Sequence, residues 1–127
     1  MFTVVDTGLA PSKAPVNGTV RSGDTVYTAQ VPRDPRTGEM MDGDITAQMR
    51  QTLSNLKQAI EAAGGTLADV AQVMIYLVHS TDFAGMNEVY KEYFSPPYPS
   101  RATVVVKELM GPTVRVEIVA HANPASV

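Results

Sequence analysis

The chain contains no cysteine, which excludes disulfides, thiolate metal ligands and thiol nucleophiles together. Histidine is scarce as well. His79 and His121 are the two present, too few and too scattered for the three or four ligands that a zinc site needs, so no metal is expected. No run of lysine and arginine offers a basic patch, and the formal net charge is −3, so nucleic acid is not an expected partner. No apolar run approaches the ~18 residues needed to span a bilayer. The opening Met1-Phe2-Thr3-Val4-Val5-Asp6 has neither a basic n-region nor an apolar h-region, which disfavours a secretory signal. The expectation is a soluble cytoplasmic protein without a membrane partner. Neither a glycine-rich phosphate loop nor a nucleophile elbow is found.

What is there describes an ordinary globular chain. At 127 residues, 44% hydrophobic and 18% charged, it reads as one domain over 1–127, able to bury roughly two-thirds of its unfolded surface. A first strand is expected near Phe2-Thr3-Val4-Val5, followed by a loop over Pro11–Pro15. Val16–Arg21 and Thr25–Val31 read as strands around the turn Ser22-Gly23-Asp24. Pro32–Gly43 is a long polar connection of the kind that often carries function. Ile45, Met49, Leu53, Leu56 and Ile60 recur at spacings of three and four, predicting a helix over Asp44–Ala63 that Asp44 caps and Gly64-Gly65 stops. Val70–Val78 is mostly apolar and suits a central strand covered on both faces. Thr81 or Asp82 then caps a second helix with the stripe Phe83, Met86, Tyr90 and Phe94, ended by Ser95-Pro96-Pro97. Strands follow over Pro99–Val106 and Val114–Ala120, joined by a short loop at Met110-Gly111-Pro112-Thr113. Two helices on one face of a mixed sheet is the economical α+β arrangement for this order.

Two residues in the last strands stand out. Arg101 opens the first of them, and a planar guanidinium can hold a carboxylate through two parallel hydrogen bonds. Its plain alternative is a solvated arginine at a strand start. Glu117 lies among Val116, Ile118 and Val119, where a carboxylate is costly to desolvate without a partner or a task. It can take a proton from an attacking water, or form a cross-strand ion pair, for instance with Lys107. If these strands pair as a hairpin through residues 110–113, Glu117 lies opposite roughly Val105 to Lys107. Arg101 is then about five residues further along, or ~16 Å at ~3.3 Å per residue. A neighbouring chain would have to close that gap.

Five blocks in order resemble the Rid (YjgF-like) family of enamine/imine deaminases: Gln30–Glu39, Gln51–Lys57, Asp82–Tyr90, Pro99-Ser100-Arg101 and Val116-Glu117-Ile118. The resemblance runs from about Ala14 to the end. It implies a chorismate-mutase-like α+β fold and a homotrimer with one active site in each cleft between subunits. It also implies that Arg101 anchors a substrate carboxylate and that Glu117 positions and activates water. Thr103 stands where the family often has cysteine and lends its backbone N–H to that carboxylate, a contact that survives the replacement. Val16, in Ala14-Pro15-Val16, stands where a tyrosine commonly follows Gly-Pro, so a phenolic hydroxyl is missing. Ala29, in Thr28-Ala29-Gln30, stands where glycine is usual, and its methyl narrows the backbone approach to a ligand. Asn87 matches a motif asparagine, expected to bond a loop bordering the cleft rather than substrate.

The implied activity is cofactor-free hydrolysis of a small imino acid or its enamine tautomer, such as 2-aminoacrylate/2-iminopropionate, to a keto acid and ammonia. The nearest alternative is a specialised catabolic deaminase, for example one acting on 2-aminomuconate. A non-enzymatic trimer binding small carboxylates is the rival from another class. A ribonuclease role, attributed to some relatives, is disfavoured by the acidic net charge.

Overall fold

The stripe Ile45, Met49, Leu53, Leu56 and Ile60 forms the buried face of helix α1, Ile45–Ala62. The Asp44 side chain caps it by accepting from the Ala47 N–H at 2.9 Å, satisfying one of the first-turn donors that lack a helical partner. Gly64, at φ 90°, turns the chain away just beyond its end, a conformation that suits glycine. The structure, a computed structural model, describes residues 1–124. Its remaining elements are β1 (Thr3–Val4), β2 (Thr19–Ser22), β3 (Thr25–Gln30), β4 (Val70–Leu77), α2 (Phe83–Tyr93), β5 (Ser100–Val105) and β6 (Val116–Ala122).

The six strands form one mixed sheet in the order β1-β2-β3-β6-β4-β5. All neighbouring pairs are antiparallel except β4 and β5. Parallel strands need a crossover, and α2 supplies it. Both helices pack on one face, as expected. The core joins the α1 stripe and Met86, Val89 and Tyr90 of α2 to Val26, Val73, Ile75, Leu77, Val116, Ile118 and Ala120. Each fully buried aliphatic side chain here contributes about 1.5–3 kcal/mol.

Four expectations need correction. The last two strands are not a hairpin, because β4 lies between them: β6 pairs with β3 and β4, and β5 pairs with β4 alone. Strand β4 is covered on one face only. Val73, Ile75 and Leu77 are buried against the helices, while Gln72 is exposed and Met74 and Tyr76 are half-buried. Asp82 precedes α2 without making a side-chain capping bond, since its carboxylate accepts from Arg115 Nη1 at 3.2 Å instead. Within the expected α2 stripe, Met86, Tyr90 and Phe94 are buried, but Phe83 is exposed and Val89 fills the core in its place.

Helix α1 also holds the loops. Gln48, fully buried, donates from Nε2 to the carbonyls of Thr113 (2.7 Å) and Gly43 (3.2 Å) and accepts from the Arg115 N–H at 2.8 Å. About two turns further on, Asn55 donates from Nδ2 to the carbonyls of Arg33 (2.9 Å) and Val31 (3.3 Å). The two amides fasten the 31–43 connection and the approach to β6 onto one rigid helix. No described helix is long and apolar enough to cross a membrane.

Replacing Gln48 by methionine keeps the volume but strands buried backbone groups, each costing about 1–3 kcal/mol. Gln48→Met should therefore destabilise the fold by about 2–4 kcal/mol, read as a lower urea midpoint with an unchanged slope.

Candidate functional site

Alternation along the central strands decides where the candidate residues go. On β6, Val116, Ile118 and Ala120 face the helices, so Glu117 and Val119 face the other side. Arg101 pairs with the buried Val73, and Thr103 with the buried Ile75, so both of their side chains lie on the helix side. Glu117 is level with Tyr76, which is level with Val104. Two strand spacings of ~4.8 Å and three steps of ~3.3 Å therefore separate Glu117 from Arg101, about 14 Å between Cα atoms. The two are also on opposite faces of the sheet. The hairpin expected from the sequence is absent, yet one chain still cannot bring this cation and this carboxylate to one small molecule.

The structure thus forms two separate groupings. In the first, the Arg101 guanidinium donates from Nη2 to Asn87 Oδ1 at 2.8 Å and lies over the Tyr90 ring, with Cζ 4.6 Å from its centroid. The Phe83 ring is 5.9 Å away. These side chains and Tyr98 line a cavity of about 550 Å³. Asn87 therefore holds the arginine itself rather than a loop, a contact the sequence expectation did not include. Among the described residues no carboxylate lies within ion-pair distance of Arg101. Phe83, Asn87 and Tyr90 occupy positions i, i+4 and i+7 of α2, one helical face. That spacing was the available signal for a shared task, and the hydrophobic stripe concealed it.

Tyr90 and Thr103 carry buried hydroxyls without hydrogen-bond partners among the described residues. Burial pushes the Tyr90 phenol up from its ordinary pKa, with the neighbouring Arg101 charge pulling the other way. The backbone at Thr103 is free for another purpose. The Val106 N–H donates to the Leu77 carbonyl at 2.7 Å, so alternation along β5 turns the Thr103 N–H away from β4, to the open edge of the sheet.

The second grouping lies on the uncovered face. Glu117, Ala29 and Val16 line a cavity of about 710 Å³ roofed by the N-terminal segment. Ala29 pairs with Val119, two residues from Glu117, and is exposed, as is Val16. Glu117 is half-buried, and desolvation pushes its carboxyl above the usual carboxylate range. It forms no ion pair among the described residues, so the Lys107 alternative is not realised. With β4 between β5 and β6, Lys107 has no cross-strand position beside it. Among the described residues no cluster of three or more His, Cys, Asp or Glu side chains converges as a metal site would need. What the geometry offers is an anion holder on one side and a carboxylate poised to accept a proton on the other.

Comparison with known proteins bears on this arrangement. A family model described as Endoribonuclease L-PSP matches residues 7–123. A RutC family protein from Pyrococcus horikoshii is 45% identical over 111 residues, covering 86% of this chain and 88% of its own. A 2-iminobutanoate/2-iminopropanoate deaminase from Dermatophagoides farinae is 39% identical over 117 residues, with 91% of each chain covered. The crystal structure of RidA from an Antarctic Psychrobacter superposes with a TM-score of 0.87 at 37% identity, over 95% of this chain and 98% of that one.

The raised value at Glu117 fixes a sign for stability. An acid whose folded pKa lies above its unfolded value supports the fold fully below the unfolded value, and that support is lost as pH rises through the folded one. Glu117→Gln removes this loss. The variant should match the parent in urea melts at pH 4 and be at least as stable at pH 8; a variant clearly less stable at pH 8 would mean that the ionised carboxylate has a stabilising partner.

Proposed function

Because this chain belongs to the Endoribonuclease L-PSP (YjgF/Rid) family, we propose that it is a hydrolytic imine/enamine deaminase of the cytoplasm. It acts as a homotrimer and requires no cofactor. The observation that carries the reading is the division of the two groupings between opposite faces of one sheet. Each is chemically incomplete alone among the described residues: a half-buried arginine with no carboxylate partner, and a desolvated carboxylate that forms no ion pair. Assembly of identical chains completes both at once when the open edge of β5 in one subunit meets the uncovered face of the next. The relative from Dermatophagoides farinae, named for this chemistry, supports the same reading.

In that cleft Arg101, held by Asn87 and backed by the Tyr90 ring, binds the substrate carboxylate, assisted by the outward N–H of Thr103. The imine carbon then lies near the neighbouring subunit's carboxylate at position 117. A protonated imine is already electrophilic. Water attacks its carbon, the C=N electron pair moves to nitrogen, and the proton lost by water passes to the Glu117 carboxylate. The resulting carbinolamine collapses as its C–N bond breaks. Glu117 returns its proton to the departing nitrogen, and the hydroxyl O–H electron pair forms the carbonyl as the hydroxyl proton is taken up by the released ammonia. Keto acid and ammonium leave with the carboxylate regenerated. Its raised pKa makes it a better proton acceptor once ionised, and places the acid limb of the rate profile above the ordinary carboxylate value.

Arg101→Lys keeps the charge but loses the fork. A charge-assisted hydrogen bond contributes about 1.5–3 kcal/mol, so kcat/KM for freshly generated 2-iminopropionate should fall roughly 10- to 150-fold. Unchanged turnover in a folded variant would return Arg101 to the solvated class.

Glu117→Gln should slow hydrolysis by about 10²–10⁴-fold while sparing pyruvate binding. Parental turnover with normal pyruvate binding would make Glu117 architectural.

The shared cleft has its own test. Co-refolding the Arg101→Lys and Glu117→Gln chains in equal amounts pairs an intact arginine with an intact glutamate in about a quarter of clefts. Activity should recover to roughly that fraction of the parent, in particles of trimer mass by light scattering. No recovery, or a fully active monomer of 13.6 kDa, would remove the model.

A further inference from the structure

Arg33 lines the same cavity as Glu117. It is half-buried, and its Nη1 donates to the Gly38 carbonyl at 3.1 Å, which leaves the other edge of the guanidinium uncommitted. Among the described residues no carboxylate lies within ion-pair distance of it. The two acids nearest in sequence or on the same wall are occupied elsewhere. Asp34 accepts from the N–H groups of Arg36 (2.8 Å) and Thr37 (3.0 Å), and Asp6 accepts from the Gly8 N–H at 3.1 Å. Glu117 itself is pushed up by burial and forms no ion pair with Arg33. The arginine and the carboxylate therefore line one cavity without forming an ion pair.

The position is built rather than incidental. Asn55, buried in α1, fixes the Arg33 carbonyl at 2.9 Å and the Val31 carbonyl at 3.3 Å. Continuing the β3–β6 ladder one step beyond the Gln30–Ile118 pair brings Val31 level with Glu117, and Arg33 follows two residues later. The surrounding wall includes the apolar Leu9, Val16, Val31 and Met40. A cation held at an apolar wall without a counter-ion favours an anionic ligand, because the ligand's charge replaces lost hydration. The small Val16 side chain leaves room along the wall for a ligand longer than a simple keto acid.

We propose that Arg33 binds a second carboxylate, so that the substrates of this site are imines or enamines of dicarboxylic acids. The inference rests on the imine-hydrolysis reading above and adds a second anion to it. The carboxylate beside the imine carbon is held by a neighbouring chain's arginine at position 101. The imine carbon faces Glu117, and the distal carboxylate reaches Arg33.

The test compares two product-like keto acids, 2-oxoglutarate and 2-oxobutyrate, by calorimetric titration of the assembled protein. 2-Oxoglutarate should bind at least about 10-fold more tightly, the gain of one charge-assisted hydrogen bond. In Arg33→Met that ratio should fall to about 1, and in Arg33→Lys it should be intermediate, because the charge remains without the fork. Equal affinities in the parent overturn the proposal, and so does a preference that survives Arg33→Met. A parallel loss of both ligands in Arg33→Met, with the ratio intact, assigns Arg33 to holding the Gly38 turn and overturns it equally. Arg101→Lys serves as the separate control. It should weaken both keto acids together, and if it weakens neither, the failure lies with the underlying carboxylate site.

Discussion

The insertion of β6 between β3 and β4 is the constraint on which the rest of this molecule depends. A strand with neighbours on both edges has its backbone groups satisfied, so its register cannot slip without breaking two ladders. Its alternation then acts in two directions. Val116, Ile118, Ala120 and Ala122 close the core under the helices, and Glu117, Val119 and His121 are left on a face that no helix covers. Because β3 and β4 inherit their register from β6, the placement of Ala29 beside the cavity and of Arg101 against α2 follows from the same arrangement.

Helix periodicity made much of this legible before any coordinates. The α1 stripe specifies both its limits and its buried face, because a 3.6-residue repeat is a local property of the chain. Strand pairing is not local. Val104 and Val119 are β-branched in either topology, and nothing in a short loop reports whether a third strand has already taken the place between its flanking strands. The same blindness applies to Asp82, whose capping role looked plausible until Arg115, 33 positions away, claimed its carboxylate. For Asn87, the family pattern marked the residue but not its partner, since Asn87 and Arg101 meet only after α2 has crossed over the sheet. Arg33 was passed over because a turn of Pro, Asp and Gly disguises any side chain aimed back into a cavity.

The carboxylate and the arginine represent two ways of tolerating a polar group near a core. Arg101 spreads its charge over an aromatic ring and an amide oxygen, an environment that stabilises a cation without neutralising it. Glu117 has no such relief, and its elevated proton affinity is the direct result. Both arrangements leave interaction capacity unspent in the isolated fold. Such local frustration is expected where a surface is reserved for chemistry.

Strand β5 carries a consequence beyond the site. Among the described residues no strand pairs with its outer edge, and Val104 and Val105 are exposed. An unpaired, β-branched edge of this kind templates the addition of any other strand, including one from an unfolded copy. Lys107 and Glu108 are the charges that immediately follow it, and neither interrupts it. Solubility during synthesis is therefore a race between proper covering of this edge and indiscriminate strand pairing. For the assembly proposed above, slow covering of this edge would appear first as aggregation rather than as a loss of the proposed activity.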